Sequence, residues 1–155
     1  MLCVKIVNAA PVVTSMSSWN APTSGLSAVS LFGSGFDNPL VVRMGGTSTS
    51  SLNWLSSTSI SCIVAPGSGG TEELVITVGL SVTSALGFFT FDSPSPLLFL
   101  NSNMPTSGAS SNTLTGVNFG QFDISGTNRQ IYTMSEATIW VSQTSILCKM
   151  SNGVL

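Results

Sequence analysis

The sequence predicts an all-β protein built as tandem β-sandwiches, and three observations predict it. First, the chain repeats itself. Residues 20–36 read NAPTSGLSAVSLFGSGF and residues 103–119 read NMPTSGASSNTLTGVNF, so Asn20, Pro22, Thr23, Ser24, Gly25, Gly33 and Phe36 recur 83 positions later as Asn103, Pro105, Thr106, Ser107, Gly108, Gly116 and Phe119. Second, residues 54–62 (WLSSTSISC) return as 140–148 (WVSQTSILC) at a shift of 86, so a three-residue insertion separates the two sets of landmarks. Third, short alternating apolar segments are punctuated by turn residues roughly every 8–12 positions, as in sandwiches. No stretch keeps the period of a helix.

Taken in order, residues 4–7 form an apolar run that falls opposite 87–90 at the 83 shift, and residues 1–9 read as the last strand of a preceding repeat. A complete sandwich is expected over 10–93. Pro11 can start an edge strand over 11–17, because proline is tolerated at a strand start. The run APTSG at 21–25 is turn chemistry. Val29, Leu31 and Gly33 share one parity in a strand over 28–36, whose glycines signal a bulge or a close backbone approach. Asn38-Pro39 turns the chain, a strand follows over 40–44, and Gly45-Gly46 makes a hairpin-like turn. Trp54 and Leu55 begin a short element. Ile60, Cys62 and Val64 alternate on the next strand, and residues 65–70 form a loop. A strand over 73–80 faces inward with either Leu74, Ile76 and Val78 or Val75, Thr77 and Gly79. Residues 86–91 close the unit.

The second sandwich is expected over 94–155, with strands at 97–100, 112–119, 129–132 and 144–150. The chain is fourteen residues short of two full cycles, and the missing part corresponds to the last strands of the second unit. An open sandwich exposes unpaired edges. Two explanations stand: an excerpt from a longer tandem array, or a last unit completed by residues 1–9 of another chain.

Composition narrows the function. Ten residues are charged, four Lys/Arg and six Asp/Glu, against 28 Ser and 16 Thr. Nucleic acid is excluded as a partner, since phosphate binding needs a basic footprint. A surface so poor in charge is weakly defended against association, so either it is covered by glycan or by neighbouring copies, the preferred reading, or the chain is secreted and simply rich in Ser and Thr. No apolar run approaches the ~18 residues of a membrane span. The start at Met1-Leu2-Cys3 lacks the parts of a signal peptide, so a secreted form would carry its signal upstream. No His is present, which excludes Ser-His-Asp and Cys-His nucleophiles. No cluster has metal-ligand spacing, and residues 67–70 (GSGG) lack the Lys of a phosphate loop. No catalytic residue and no cofactor are expected.

In this order the landmarks resemble the IPT/TIG domain, an immunoglobulin-like unit of plexins, some transcription factors and many tandem extracellular proteins. The landmarks are a PTSG entry, a strand ending G-x-[GN]-F, a GG turn, a TSIxC strand, a Gly-rich loop and a closing FxFDxP. The W-[LV]-S-x-T-S-I-x-C form is most similar to Ser/Thr-rich arrays of algae and other protists. The resemblance implies that a Cys after the GG turn would pair with the Cys of the TSIxC strand. Residues 47–49 and 133–135 hold no Cys, so Cys62 and Cys148 lack that partner, and Cys3 leaves an odd count.

The candidate residues are few. Cys62, Cys148, Trp54 and Trp140 read as structural core, the tryptophans alternatively as sugar-stacking groups. Asp37 and Arg43 recur as Asp123 and Arg129 and read as structural ion pairs. No Asn-x-Ser/Thr sequon exists, so covalent glycan would be O-linked. Its candidate sites are Ser93, Pro94, Ser95 and Pro96, where Pro also suits a stiff linker, then Pro22, Thr23, Pro105 and Thr106. The function expected from these features is an extracellular or cell-surface structural repeat protein forming an O-glycosylated rod or fibril. Its partners would be neighbouring repeats or copies of itself. The alternative is an adhesin or receptor ectodomain that binds protein or glycan through sandwich loops.

Overall fold

A computed structural model describes residues 9–101, 103–123, 128–130 and 133–152. The strand expected at 1–9 therefore lies outside the described residues except for Ala9, as do Cys3 and the end of the strand expected at 129–132. Fifteen strands are described. In the first unit they are β1 (Val12–Met16), β2 (Asn20–Ala21), β3 (Ala28–Ser34), β4 (Leu40–Met44), β5 (Thr47–Ser48), β6 (Ser51–Ser56), β7 (Ser59–Ile63), β8 (Gly70–Val78) and β9 (Ser81–Phe91). In the second they are β10 (Ser95–Phe99), β11 (Ser111–Val117), β12 (Arg129–Gln130), β13 (Thr133–Met134), β14 (Ala137–Ser142) and β15 (Ser145–Lys149). The two units are separately compact.

The first unit is a β-sandwich of a four-stranded sheet, order β1-β3-β7-β6, and a five-stranded sheet, order β2-β9-β8-β4-β5. Period-two alternation places its core. Val29 and Leu31 of β3, Ile60 and Cys62 of β7, Val42 of β4, Leu74 and Ile76 of β8 and Phe89 of β9 are all buried, with Phe36 and Val64 beside them. Of the two parities open to residues 73–80, the structure takes Leu74, Ile76 and Val78 inward. The closing strand is longer than expected and starts at Ser81.

The second unit repeats the four-stranded sheet as β10-β11-β15-β14. The registers coincide at the offsets of the sequence repeat. Val12 pairs with Ser34 and Ser95 with Val117; Val29 pairs with Cys62 and Asn112 with Cys148; Trp54 pairs with Ile60 and Trp140 with Ile146. Even the bulges match, between Val13 and Ser15 and between Pro96 and Leu98. The β4–β5 pairing returns as β12–β13. Because Phe119 takes the place of Phe36 while Asp123 takes that of Asp37, the three-residue insertion follows directly on Phe119, at Gly120, Gln121 and Phe122.

Residues Ser95 and Pro96, read as part of a stiff linker, instead open the edge strand β10. The second core is smaller: Leu114, Phe119 and Cys148 are buried, while Phe99, Ile146 and Met150 are only partly so. Their counterparts Met16, Ile60 and Val64 are buried. The difference follows from the covering sheet, which has five strands in the first unit and, among the described residues, two in the second.

Candidate binding surfaces

The two recurring motifs hold each other. The N–H of Gly33 donates to Thr58 O at 3.0 Å and the N–H of Phe36 to Ser57 O at 3.0 Å; in the second unit Gly116 donates to Thr144 O and Phe119 to Gln143 O, both at 2.9 Å. The indole Nε1–H of Trp54 donates to the carbonyl of Phe36, and that of Trp140 to the carbonyl of Phe119. Gly33 and Gly116 are needed because a Cβ there would collide with the Val12 or Ser95 carbonyl oxygen and with the Phe36 or Phe119 ring. These bonds join the G-x-[GN]-F strand end to the turn between β6 and β7, or β14 and β15.

That geometry corrects the placing of the tryptophans in the core. Trp54 is 42 % exposed and Trp140 is partly exposed. They recur because the indole N–H serves a backbone carbonyl, not because the ring is buried. Cys62 and Cys148 are buried free thiols. Cys62 Sγ lies 3.5 Å from Val29 O, and burial pushes this thiol up to about 11. Cys148 Sγ accepts from Asn128 Nδ2 at 3.4 Å.

Asp37 and Arg43 recur in sequence, yet among the described residues no salt bridge joins them: Arg43 is exposed on β4 and Asp37 sits in the preceding turn. Arg129 is exposed on β12 and Asp123 lies in the loop before it. Lys149 Nζ and Glu136 Oε2 do pair, at 3.0 Å, on the surface. Of the residues considered for O-glycan, Ser93, Pro94, Ser95, Pro96, Pro105 and Thr106 are exposed and Pro22 partly so. Thr23 is 1 % exposed, with Oγ1 unpartnered, and has no open side for a sugar. Among the described residues no three His, Cys, Asp or Glu side chains gather as metal ligands, and no helix is long and apolar enough to cross a membrane.

Two surfaces stand out that the motifs do not announce. One is the solvent side of β10-β11-β15-β14. Leu98 faces Thr115, and Leu147 lies between Thr113 and Ile139. The N–H of Leu100 bonds to Thr113 O at 3.0 Å and extends the same row. Leu98, Leu100 and Ile139 are 61 %, 62 % and 57 % exposed. At the 83 and 86 shifts their counterparts are Ser15, Ser17 and Asn53, and that of Leu147 is Ser61. The other is Trp19, 48 % exposed, whose ring lies 5.4 Å from that of Phe88 at 46°. Trp19 does not recur, and that failure to recur was the sequence signal for it: Ser102 stands 83 positions on.

Comparison with known proteins agrees with the fold. The family model of the IPT/TIG domain matches residues 11–91. No curated protein sequence matches. A surface glycan-binding protein, PbSGBP-B, from Prevotella bryantii is 16 % identical with a TM-score of 0.60, over 95 % of this chain and 38 % of that one. The extracellular region of plexin A4 is 14 % identical with a TM-score of 0.49, over 94 % of this chain and 13 % of that one. SGBP-B from a xyloglucan utilization locus of Bacteroides uniformis is 15 % identical with a TM-score of 0.45, over 94 % and 44 %. The chain thus spans less than half of each of these structures.

Proposed function

This chain belongs to the IPT/TIG domain family, and from that premise we propose that it is a non-catalytic recognition segment of an extracellular or cell-surface protein, binding a partner protein or glycan on its sandwich surfaces. The observation that carries the proposal is the outer face of the second sheet. Its pairing copies the first sheet, so the fold does not ask for Leu98, Leu100, Ile139 and Leu147 where Ser15, Ser17, Asn53 and Ser61 suffice. A neutral, apolar exposed row is the composition found at the centre of protein interfaces. The fold shared with a surface glycan-binding protein is in keeping with this role.

Residues 94–155 are, in this proposal, a second IPT/TIG-like unit, which the repeated registers support. The same repetition favours a second reading, a rod of stacked units, O-glycosylated at the exposed Ser93–Pro96 segment and at Thr106. Immobilised chain probed with arrays of polysaccharides and of surface proteins from its source organism tests the first reading. Saturable binding to a defined array member is expected. The variant Leu98→Ser/Ile139→Asn weakens it, with circular dichroism unchanged, when the bound member is a protein seated on this face. Binding to no member of either array overturns the recognition role. Filaments of the native protein in electron micrographs would favour the rod.

A further inference from the structure

Resting on the recognition reading, we propose that Trp19, buttressed by Phe88, is a stacking platform for a neutral polysaccharide of pyranose units with equatorial hydroxyls. This tryptophan is not part of the repeated pattern. Trp54 and Trp140 recur and give their indole N–H to a backbone carbonyl. Trp19 has Ser102 as its counterpart, and its indole N–H has no partner among the described residues.

The platform is held from behind. Trp19 directly precedes β2, the edge strand beside β9. The N–H of Thr90 donates to Trp19 O at 2.9 Å, and Thr90 Oγ1 donates to the same region, 3.3 Å from Trp19 O and 2.8 Å from Asn20 Oδ1. Ser18 Oγ donates to Asn20 O at 2.7 Å and fixes the turn before it. On β9, Phe89 and Phe91 are buried inward, so Phe88 stands on the outer side and meets the indole at 46°. A ring already held by a neighbour loses little freedom when a ligand arrives.

The surroundings select the ligand. Neither β2 nor β9 carries a charged side chain, and the charged groups next to them, Glu72 and Glu73 on the adjoining β8 and Asp92 after β9, are acidic. Nucleic acid bases also stack on aromatic rings, but their phosphates need Lys or Arg. Anionic polysaccharides have the same need. A pyranose with equatorial hydroxyls turns a flat face of C–H groups to an aromatic ring, and its hydroxyls project around the rim. There the indole N–H donates, and the Ser18 and Thr90 hydroxyl oxygens, whose protons are held by the Trp19 and Asn20 acceptors, accept, which makes a neutral polar border. A few polar groups around an apolar face are the usual make-up of a small-ligand site.

Affinity electrophoresis and calorimetry with mixed-linkage β-glucan, xylan and galactomannan, and polygalacturonate as the charged control, test the platform. At least one neutral polymer should retard the full chain and polygalacturonate should not. Trp19→Ser installs the residue that the second repeat has at this place. It should keep the circular dichroism spectrum and weaken binding by about tenfold or more, the cost of losing an anchoring aromatic. Trp54→Phe should bind like the parent. Neutral polymer bound equally by parent and Trp19→Ser overturns the platform and leaves the recognition reading standing. So does binding only to polygalacturonate, or to a protein partner in place of any glycan. Binding to nothing, glycan or protein, removes both.

Discussion

On the solvent side of the first four-stranded sheet stand Ser15, Ser17, Asn53 and Ser61, beside Phe32; on the same side of the second stand Leu98, Leu100, Ile139 and Leu147, beside Thr115. The backbone pairing beneath them is the same, down to the bulge. The inner faces run the other way. Leu31, Phe36, Ile60, Cys62 and Val64 are matched by Leu114, Phe119, Ile146, Cys148 and Met150 in kind, but the second set is less completely covered. Most side chains of the inner face are therefore kept in kind, the exception being Val29, whose place is taken by Asn112 with its amide bonded to the Asn101 backbone, and side chains that face water are free to differ. In the recognition role proposed above, an outer face that turns apolar under an unchanged register marks a place for a partner.

The largest test of this comparison is the core. Phe36→Ala empties a site closed on all sides and should destabilise the first unit by about 4 kcal/mol. Phe119→Ala removes the same ring from a core whose other members, Phe99, Ile146 and Met150, are partly open to solvent. Its cost should be clearly smaller, because solvent already reaches its neighbours and the site can relax. Denaturant unfolding of the two variants reads the difference. Equal losses would mean that the second core is as well sealed as the first.

Repetition made much of the fold legible, and the same reasoning shows its limits. A residue that recurs is required, but recurrence does not say by what. Gly33 and Gly116 were readable as sites of close approach, and the structure supplies the Val12 and Ser95 carbonyls they accommodate. Recurrence of Trp54 and Trp140 points to packing over the core, whereas each indole N–H is bonded to the Phe36 or Phe119 carbonyl. Asp37 and Arg43 recur without pairing with each other. Thr23 and Thr106 share a turn closed by Gly25 and Gly108 at φ 71° and 69°, yet one is buried and the other exposed. Local sequence fixes such a turn, while burial depends on what is packed above it. The outer-face contrast needed the register first, since only pairing shows which residues share a row. Trp19 carries no mark of repetition, since Ser102 stands at its place 83 positions on.

A middle-sized effect tests the motif-to-motif bond. Trp54→Phe and Trp140→Phe keep most of the apolar contact and remove the donor to the Phe36 or Phe119 carbonyl. Each should lose about 1 kcal/mol, the net worth of one hydrogen bond. The two losses should agree, since this feature is common to both units. Thermal unfolding checks it. A negligible loss in both would return the tryptophans to a packing role, and a loss in one alone would break the equivalence of the units at the place where they look most alike.

The smallest effect on stability carries the most functional weight. Leu98→Ser, Leu100→Ser, Ile139→Asn and Leu147→Ser each give the second sheet the residue that the first already tolerates at the same register position. At the exposed Leu98, Leu100 and Ile139 each substitution should change unfolding free energy by no more than about 0.5 kcal/mol, the range of surface substitutions that touch no special feature, whereas the half-buried Leu147 on a strand paired on both sides should cost about 1 kcal/mol. The combined variant should bind less of an apolar fluorescent dye than the parent, because the exposed row is gone while other exposed apolar side chains such as Leu97 and Leu86 remain. The reverse set, Ser15→Leu, Ser17→Leu, Asn53→Ile and Ser61→Leu, should confer dye binding on the first sheet without unfolding it. Large destabilisation by the forward set would show that the leucines hold the second unit together. They would then compensate for its smaller core, and the outer face would belong to folding instead of recognition.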